Sequence, residues 1–344
     1  MKIGVIGTGS WGTALAKVLV ENAHHVLMWG RDEDVIAEIN HMHTNHRYLP
    51  AIELPTTSEA TNDLKAVVQD ADVILIVVPT KAVRSVVQQL NKFLPLAKQP
   101  LVVHATKGLE PETHLRISQV IEAELSRELY QELVVLSGPS HAEEVARRDV
   151  TTLTAASQSL AAAEEVQRIF MNQYFRVYTN TDVIGVELGA ALKNIIALGA
   201  GILHGAGYGD NAKAALVTRG LTEISRLGVK MGADPLTFIG LSGVGDLVVT
   251  CTSPHSRNWQ AGNLLARGAS VAEVEGAIQM VIEGVATCKV AHELAQSLGV
   301  EMPITEALYS VLYEQAQIPT ALKQLMSRDG KREASLEGTL DNTN

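Results

Sequence analysis

At 344 residues with 46% hydrophobic content, the chain has enough apolar material for two sizeable cores. Its 28 basic and 38 acidic residues leave a formal charge of −10, which argues against generic nucleic-acid binding, because that needs a basic face. Two cysteines, Cys251 and Cys288, make neither a disulfide framework nor a CxxC metal spacing, no apolar leader opens the chain, and no uninterrupted apolar run approaches ~18 residues; the expectation is a soluble cytoplasmic protein without metal or stable membrane insertion.

Lys2-Ile3-Gly4-Val5-Ile6 is a short apolar run of the kind a buried parallel strand uses, and it feeds directly into Gly7-Thr8-Gly9-Ser10-Trp11-Gly12. Ala14, Leu15, Val18 and Leu19 then recur at helical spacing, and His25 to Trp29 reads as a second strand. A lone GxGxxG is a weak signal, but here strand, glycine turn, helix and strand follow in the order a dinucleotide-binding crossover requires. Gly7 lets the chain turn, Gly9 lets backbone approach a pyrophosphate, and Gly12 lets the helix pack against the sheet while its N-terminus directs free N–H groups at the anion. At the end of the second strand an NAD site usually carries an acidic residue and an NADP site often an arginine. The chain has Gly30-Arg31-Asp32, so Arg31 favours NADP(H), while Asp32 leaves a ribose contact, and NAD(H), open.

His41 to Pro55 is polar and proline-bounded, with His41, His43 and His46; lacking an acidic or cysteine partner to complete a metal site, it reads as a loop over the cofactor, with Tyr48 toward the adenosine. Asp72 to Pro79 is the strongest buried strand, and its end at Val78-Pro79-Thr80 belongs in the ligand crevice. Leu101 to Ala105 ends in Thr106-Lys107-Gly108, and Val134 to Leu136 in Ser137-Gly138-Pro139-Ser140-His141-Ala142, which sets Lys107, Ser140 and His141 at ligand-facing strand ends. Short strands at Thr152 to Ala155 and Arg176 to Tyr178 flank a helix from Leu160 to Met171 and close a dinucleotide-binding domain of residues 1–180.

Beyond Asp182 the pattern turns helical. Val183 to Leu203 is apolar almost all round, with Lys193 its one cation; Glu187 lies six residues back, outside the spacing of a helical ion pair, so a buried Lys193 needs another partner or a depressed pKa. Asp210 to Gly228 reads as a helix with Arg219, Glu223 and Arg226 on its polar side. Glycines crowd around Asp246, implying close backbone approach, and Ser253-Pro254-His255-Ser256-Arg257-Asn258 joins turn formers to a planar cation suited to gripping phosphate. Gln279 to Ala286, which contains Glu283-Gly284, and helices Cys288 to Leu298 and Thr305 to Tyr313 complete a helical substrate and catalytic domain of residues 181–330, and the polar tail 331–344 is expected to be mobile. The fold class predicted is α/β, an N-terminal doubly wound Rossmann-type sheet followed by an all-α C-terminal domain.

A buried lysine near Asp246, beside a nicotinamide-type site, suits proton donation to a carbonyl that receives hydride. Through GTGSWGTA, ATKGLE, LSGPSHAEEV, ELGAALKNIIALGAGI, GLSGVGDLVVTCTSPHSRN and VIEGVAT, the chain resembles bacterial NAD(P)-dependent glycerol-3-phosphate dehydrogenases over essentially its whole length. The resemblance implies catalysis by Lys193, with Asp246, and substrate contacts from Lys107, Gly138, Ser140, Asn194, Thr250, Ser256, Arg257 and Asn258. For NADP(H) or NAD(H) it implies Gly7, Gly9, Ser10, Trp11, Gly12, Arg31, Lys107, Ala142, Arg257, Val281 and Glu283; Trp11 stands where some members have Tyr or Phe. It further implies a homodimer that interconverts dihydroxyacetone phosphate and sn-glycerol 3-phosphate for phospholipid synthesis. Two alternatives stand beside it. A 3-hydroxyacid or ketopantoate-type reductase would bind a carboxylate in place of the phosphate, and a non-catalytic dinucleotide sensor would have no reason to bury Lys193.

Overall fold

The apolar runs of the N-terminal half pair into one eight-stranded sheet in a computed structural model that describes residues 1–278, 280–330 and 333. The strands are β1 (Lys2–Ile6), β2 (His25–Trp29), β3 (Thr44–Asn45), β4 (Leu49–Glu53), β5 (Glu59–Thr61), β6 (Val73–Ile76), β7 (Leu101–His104), β8 (Leu133–Ser137), β9 (Thr151–Ala156) and β10 (Phe175–Asn180). Their order is β10-β9-β8-β7-β6-β1-β2-β5, with β3 and β4 forming a separate antiparallel hairpin. Alternate side chains fill two cores. Ile3, Val5, Val73 and Leu75 meet Leu15, Leu19, Val166 and Phe170 on one face, and Ile6, Ile74, Ile76 and Val102 meet Val83, Val87, Leu90 and Ile121 on the other. Burial on both faces is why these strands read as continuous apolar runs without alternation.

The doubly wound sheet and the helical second half follow the prediction, with three corrections. β9 runs antiparallel to β8, so the last two strands are an appendix to the parallel sheet. The stretch read as a loop from His41 to Pro55 contains the end of helix Glu33–Met42 and the β3-β4 hairpin, and β5 lies beyond it unforeseen. Helices Val271–Ile278 and Ile318–Met326 were also unforeseen, whereas Gln279 and nearly all of the tail 331–344 lie outside the described residues.

A third core gathers in the helical half around Val183–Gly205, 23 residues long. By length and composition this helix could cross a membrane, but 89% of its most apolar window is buried inside the protein. Glycines let its neighbours approach. A Cβ on Gly201 would stand 2.0 Å from the Trp259 carbonyl oxygen, and one on Gly262 would stand 2.0 Å from that of Leu198, so helix Arg257–Ala266 packs backbone to backbone against it.

Glu223 is not on a polar face. It is buried, and its carboxylate accepts from Ile304 N at 2.7 Å and Thr305 N at 3.2 Å, capping helix Pro303–Tyr313 from a neighbouring helix. Burial pushes its pKa up to about 7 against those hydrogen bonds. Between the unfolded and folded pKa values the native state alone keeps the proton, so this group's stabilising contribution is complete below the unfolded value and lost as pH rises through 7. Wild type should therefore lose roughly 2–3 kcal/mol relative to Glu223→Gln between pH 5 and pH 8, measured by denaturant unfolding. A constant difference across that range would show that Glu223 is ionised throughout.

Candidate active site

Strand ends and one helix bring the charged groups together. Lys107 follows β7, Gly138 and Ser140 follow β8, and Lys193 projects from the middle of helix Val183–Gly205. Small residues admit Asp246 to this point. A Cβ on Gly189 would lie 2.3 Å from the Ser242 carbonyl oxygen, and one on Gly243 would lie 2.0 Å from that of Phe238, so the segment preceding helix Asp246–Thr252 folds tightly onto the Lys193 helix. Asp246 is fully buried and bridges two lysines: Oδ1 accepts from Lys193 Nζ at 2.8 Å, and Oδ2 from Lys107 Nζ at 2.8 Å. Lys193 also donates to Thr250 Oγ1 at 2.7 Å, and Lys107 to the Gly138 carbonyl at 3.0 Å and Ser140 Oγ at 3.4 Å.

Burial pulls the Lys193 ammonium down to a pKa of about 8, against the attraction of Asp246. Burial acts on Asp246 in the opposite sense, but Lys107 and Lys193 outweigh it and hold the carboxyl below its usual value. The partner that Lys193 lacked along its own helix is therefore Asp246, 53 residues away in sequence. Glu187 is engaged elsewhere. It accepts from Ser118 N at 2.7 Å, Ser118 Oγ at 2.6 Å and Arg116 Nη1 at 2.5 Å, with His104 Nε2 3.1 Å away.

A second chain of polar contacts runs from Lys107. Its carbonyl accepts from Asn194 Nδ2 at 3.4 Å, Asn194 Oδ1 accepts from Asn258 Nδ2 at 2.9 Å, and Asn258 Oδ1 accepts from Gly284 N at 2.8 Å. Ser256 caps helix Arg257–Ala266, accepting from Trp259 N at 3.2 Å, and Arg257 Nη1 donates to the Val281 carbonyl at 3.1 Å. Glu283 Oε1 accepts from Thr80 N at 3.1 Å, joining the helical half to the first turn of helix Thr80–Phe93. Thus the expected residues Lys107, Gly138, Ser140, Lys193, Asp246 and Thr250 form one network, Asn194 and Asn258 form a second that starts at the Lys107 carbonyl, and Arg257 with Val281 and Glu283 with Thr80 are separate pairs.

Gly7, Gly9, Ser10, Trp11, Gly12, Arg31 and Ala142 take no part in either network. Gly7 has φ +130°, a Cβ on Gly12 would meet the Gly7 carbonyl oxygen at 2.1 Å, and a Cβ on Gly9 would point into open space. Helix Ser10–Glu21 has no side-chain cap, and Trp11 Nε1 is a buried donor without a partner. An open cradle at an uncapped helix N-terminus fits a pyrophosphate. Asp32, by contrast, is not free for a ribose: Oδ1 caps helix Glu33–Met42 through Asp34 N and Val35 N, and Oδ2 pairs with Arg47 Nη1 at 2.6 Å. Sequence reasoning missed His104, Arg116 and Ser118, whose common partner Glu187 lies 69 positions from Ser118, 71 from Arg116 and farther still from His104, and no local pattern marks them.

Profiles of the NAD-dependent glycerol-3-phosphate dehydrogenase N-terminus and C-terminus match residues 2–163 and 182–323. The chain is 62% identical over 340 residues to the glycerol-3-phosphate dehydrogenase [NAD(P)+] of Enterococcus faecalis, covering 99% of both. The chain belongs to the NAD-dependent glycerol-3-phosphate dehydrogenase family. A family relative from Lactiplantibacillus plantarum is 60% identical, covering 96% of this chain and 98% of its own. The crystal structure of the Coxiella burnetii glycerol-3-phosphate dehydrogenase superposes with a TM-score of 0.89 at 39% identity, covering 95% of this chain and 98% of that one. A ketopantoate reductase from Ralstonia eutropha, at 15% identity and a TM-score of 0.58, shares the fold alone.

Because one carboxylate serves two lysines, removing it and removing one lysine should differ sharply. Asp246→Asn leaves two buried cations facing each other and should cost about 3–5 kcal/mol, whereas Lys193→Met leaves Asp246 paired with Lys107 and should stay within about 1 kcal/mol of wild type. Urea unfolding of both variants measures this, and equal losses would mean that the three charges do not act as one unit.

Proposed function

We propose that the chain interconverts dihydroxyacetone phosphate plus NAD(P)H with sn-glycerol 3-phosphate plus NAD(P)+, and that Lys193 supplies the proton. The observation that carries this reading is the buried Lys193 ammonium, aligned by Asp246 and Thr250 and lowered to a pKa of about 8. Bound NAD(P)H supplies the hydride to the carbonyl carbon. As negative charge develops on the carbonyl oxygen, Lys193 Nζ stabilises it and transfers a proton, leaving a neutral amine that solvent reprotonates. Asp246 stays ionised through the cycle, because Lys107 still holds it when Lys193 becomes neutral. Lys107 Nζ, beside Gly138 and Ser140, gives the substrate a second positive contact.

Arg257 opens helix Arg257–Ala266, with Ser256 as its cap and Asn258 in its first turn, a position from which guanidinium and helix N-terminus together meet a phosphate. On a chain of net charge −10 such local cations are what recruit an anionic substrate. Gly7, Gly9, Ser10, Trp11, Gly12, Arg31 and Ala142 would hold the cofactor, with Val281 and Glu283 contributing from the helical half. The working unit we assign is a cytoplasmic homodimer of two-domain protomers, divided after residue 180, that supplies glycerol 3-phosphate for phospholipid synthesis.

Lys193→Met should leave NADPH affinity within about twofold of wild type and lower kcat by on the order of 10² to 10⁴, the usual contribution of a general acid. Steady-state rates with dihydroxyacetone phosphate, beside nucleotide binding without substrate, make the comparison. A variant with near-normal kcat would transfer the proton's source to another group, Lys107 first. Ketopantoate belongs in the same wild-type assay: faster oxidation of NADPH by that carboxylate substrate would overturn the phosphate assignment.

A further inference from the structure

In a Rossmann-type crossover the adenosine ribose lies at the end of the second strand, which here is Trp29, followed by Gly30, Arg31 and Asp32. Arg31 is exposed and, among the described residues, makes no ion pair or hydrogen bond. Asp32 is a difficulty for a cofactor with a 2′-phosphate, since a carboxylate one residue from Arg31 repels the added anion. Arg47 resolves it. Its Nη1 lies 2.6 Å from Asp32 Oδ2, while Nε and Nη2 make no hydrogen bond among the described residues and remain available as donors. From the β3-β4 hairpin, 15 residues away in sequence, we infer that Arg47 joins Arg31 as a second guanidinium for the 2′-phosphate of NADPH and at the same time neutralises Asp32.

An exposed ion pair alone would carry little weight, since such pairs usually contribute under about 1 kcal/mol. What distinguishes Arg47 is that contacts on both sides of it are tied to the glycine turn that cradles the pyrophosphate. Before it, the buried Asn45 Nδ2 donates to the Thr8 carbonyl at 2.9 Å and to Thr13 Oγ1 at 2.9 Å. After it, Ser10 Oγ donates to the Tyr48 carbonyl at 2.7 Å. The Arg47 guanidinium also lies over the Tyr48 ring, 5.3 Å from its centroid, which limits its freedom before any ligand arrives. The hairpin is therefore fixed in register with the dinucleotide fold, and its one arginine is delivered to the ribose end. Asp32, with one oxygen on two backbone N–H groups and the other on Arg47, serves the pocket as a clamp for the arginine and is withdrawn from the ribose.

This inference rests on the dinucleotide site proposed above, and the test separates the two. NADPH and NADH are titrated by nucleotide fluorescence into the full-length protein without substrate. Arg47→Ala should raise the Kd for NADPH about tenfold and change that for NADH by less than about twofold. Adding Asp32→Asn to Arg47→Ala should recover most of the lost NADPH affinity, because asparagine keeps the helix cap and removes the repelling charge. In the same titrations 2′,5′-ADP should displace NADPH from wild type at lower concentration than 5′-AMP, an advantage that Arg47→Ala should reduce. Equal loss for both nucleotides, no loss for either, or no recovery with Asp32→Asn overturns the role of Arg47 while leaving the dinucleotide site in place. A wild-type protein that binds neither nucleotide overturns both.

Discussion

A single buried carboxylate decides how the two halves of this molecule meet. Asp246 has no solvent to share its charge with, so the fold must bring it cations, and it brings one from each half: Lys107 from a sheet-strand end and Lys193 from the central helix. Two lysines on one aspartate leave a net positive charge in a dry site, where electrostatic forces are strong and solvent does little to weaken them. Burial, with the charge of Lys107 adding to it, lowers Lys193 toward neutrality, which is the property the proposed proton transfer needs. The same arrangement makes chemistry conditional on assembly, because neither half holds the site alone.

Glu187 repeats this logic six residues away on the same helix. Its partners Arg116, Ser118 and His104 all come from the sheet half, and burial of its charge is offset first by His104 and then by Arg116 and Ser118, so that the carboxyl titrates below its ordinary value. A buried charge that loses a partner is destabilising by several kcal/mol, which makes Glu187 a penalty against any docking of the helix other than the observed one. The Glu283 contact with Thr80 N adds a third bridge at the cofactor side. The long apolar helix thus owes its affinity for the core to its composition and its register to Glu187 and Lys193.

Most of this was legible wherever function is written into a local pattern. The glycine turn at Gly7, Gly9 and Gly12, the buried strands, and the anomaly of Lys193 in an apolar helix could all be read from adjacent residues. What escaped depends on pairings across long sequence distance. Nothing near Glu187 names Arg116, and nothing near Glu223 reveals that it caps a helix beginning at Pro303. Strand direction escaped for the same reason: a short run such as Thr151–Ala156 carries no sign of whether it will pair parallel or antiparallel. The hairpin holding Arg47 was hidden by its brevity, since β3 has 2 residues and takes its place from Asn45 contacts to Thr8 and Thr13 that alternation cannot display.

Proton donation by Lys193 requires a buried, charge-coupled lysine, and site-resolved NMR titration of the lysine side chains tests this without any substrate. One lysine should titrate with a midpoint near 8, far below the ~10.4 of a solvated lysine, and its signal should be missing from Lys193→Met. A spectrum in which every lysine titrates near ~10.4 would contradict the account, because Lys193 would then be an ordinary solvated cation with no special readiness to give up a proton.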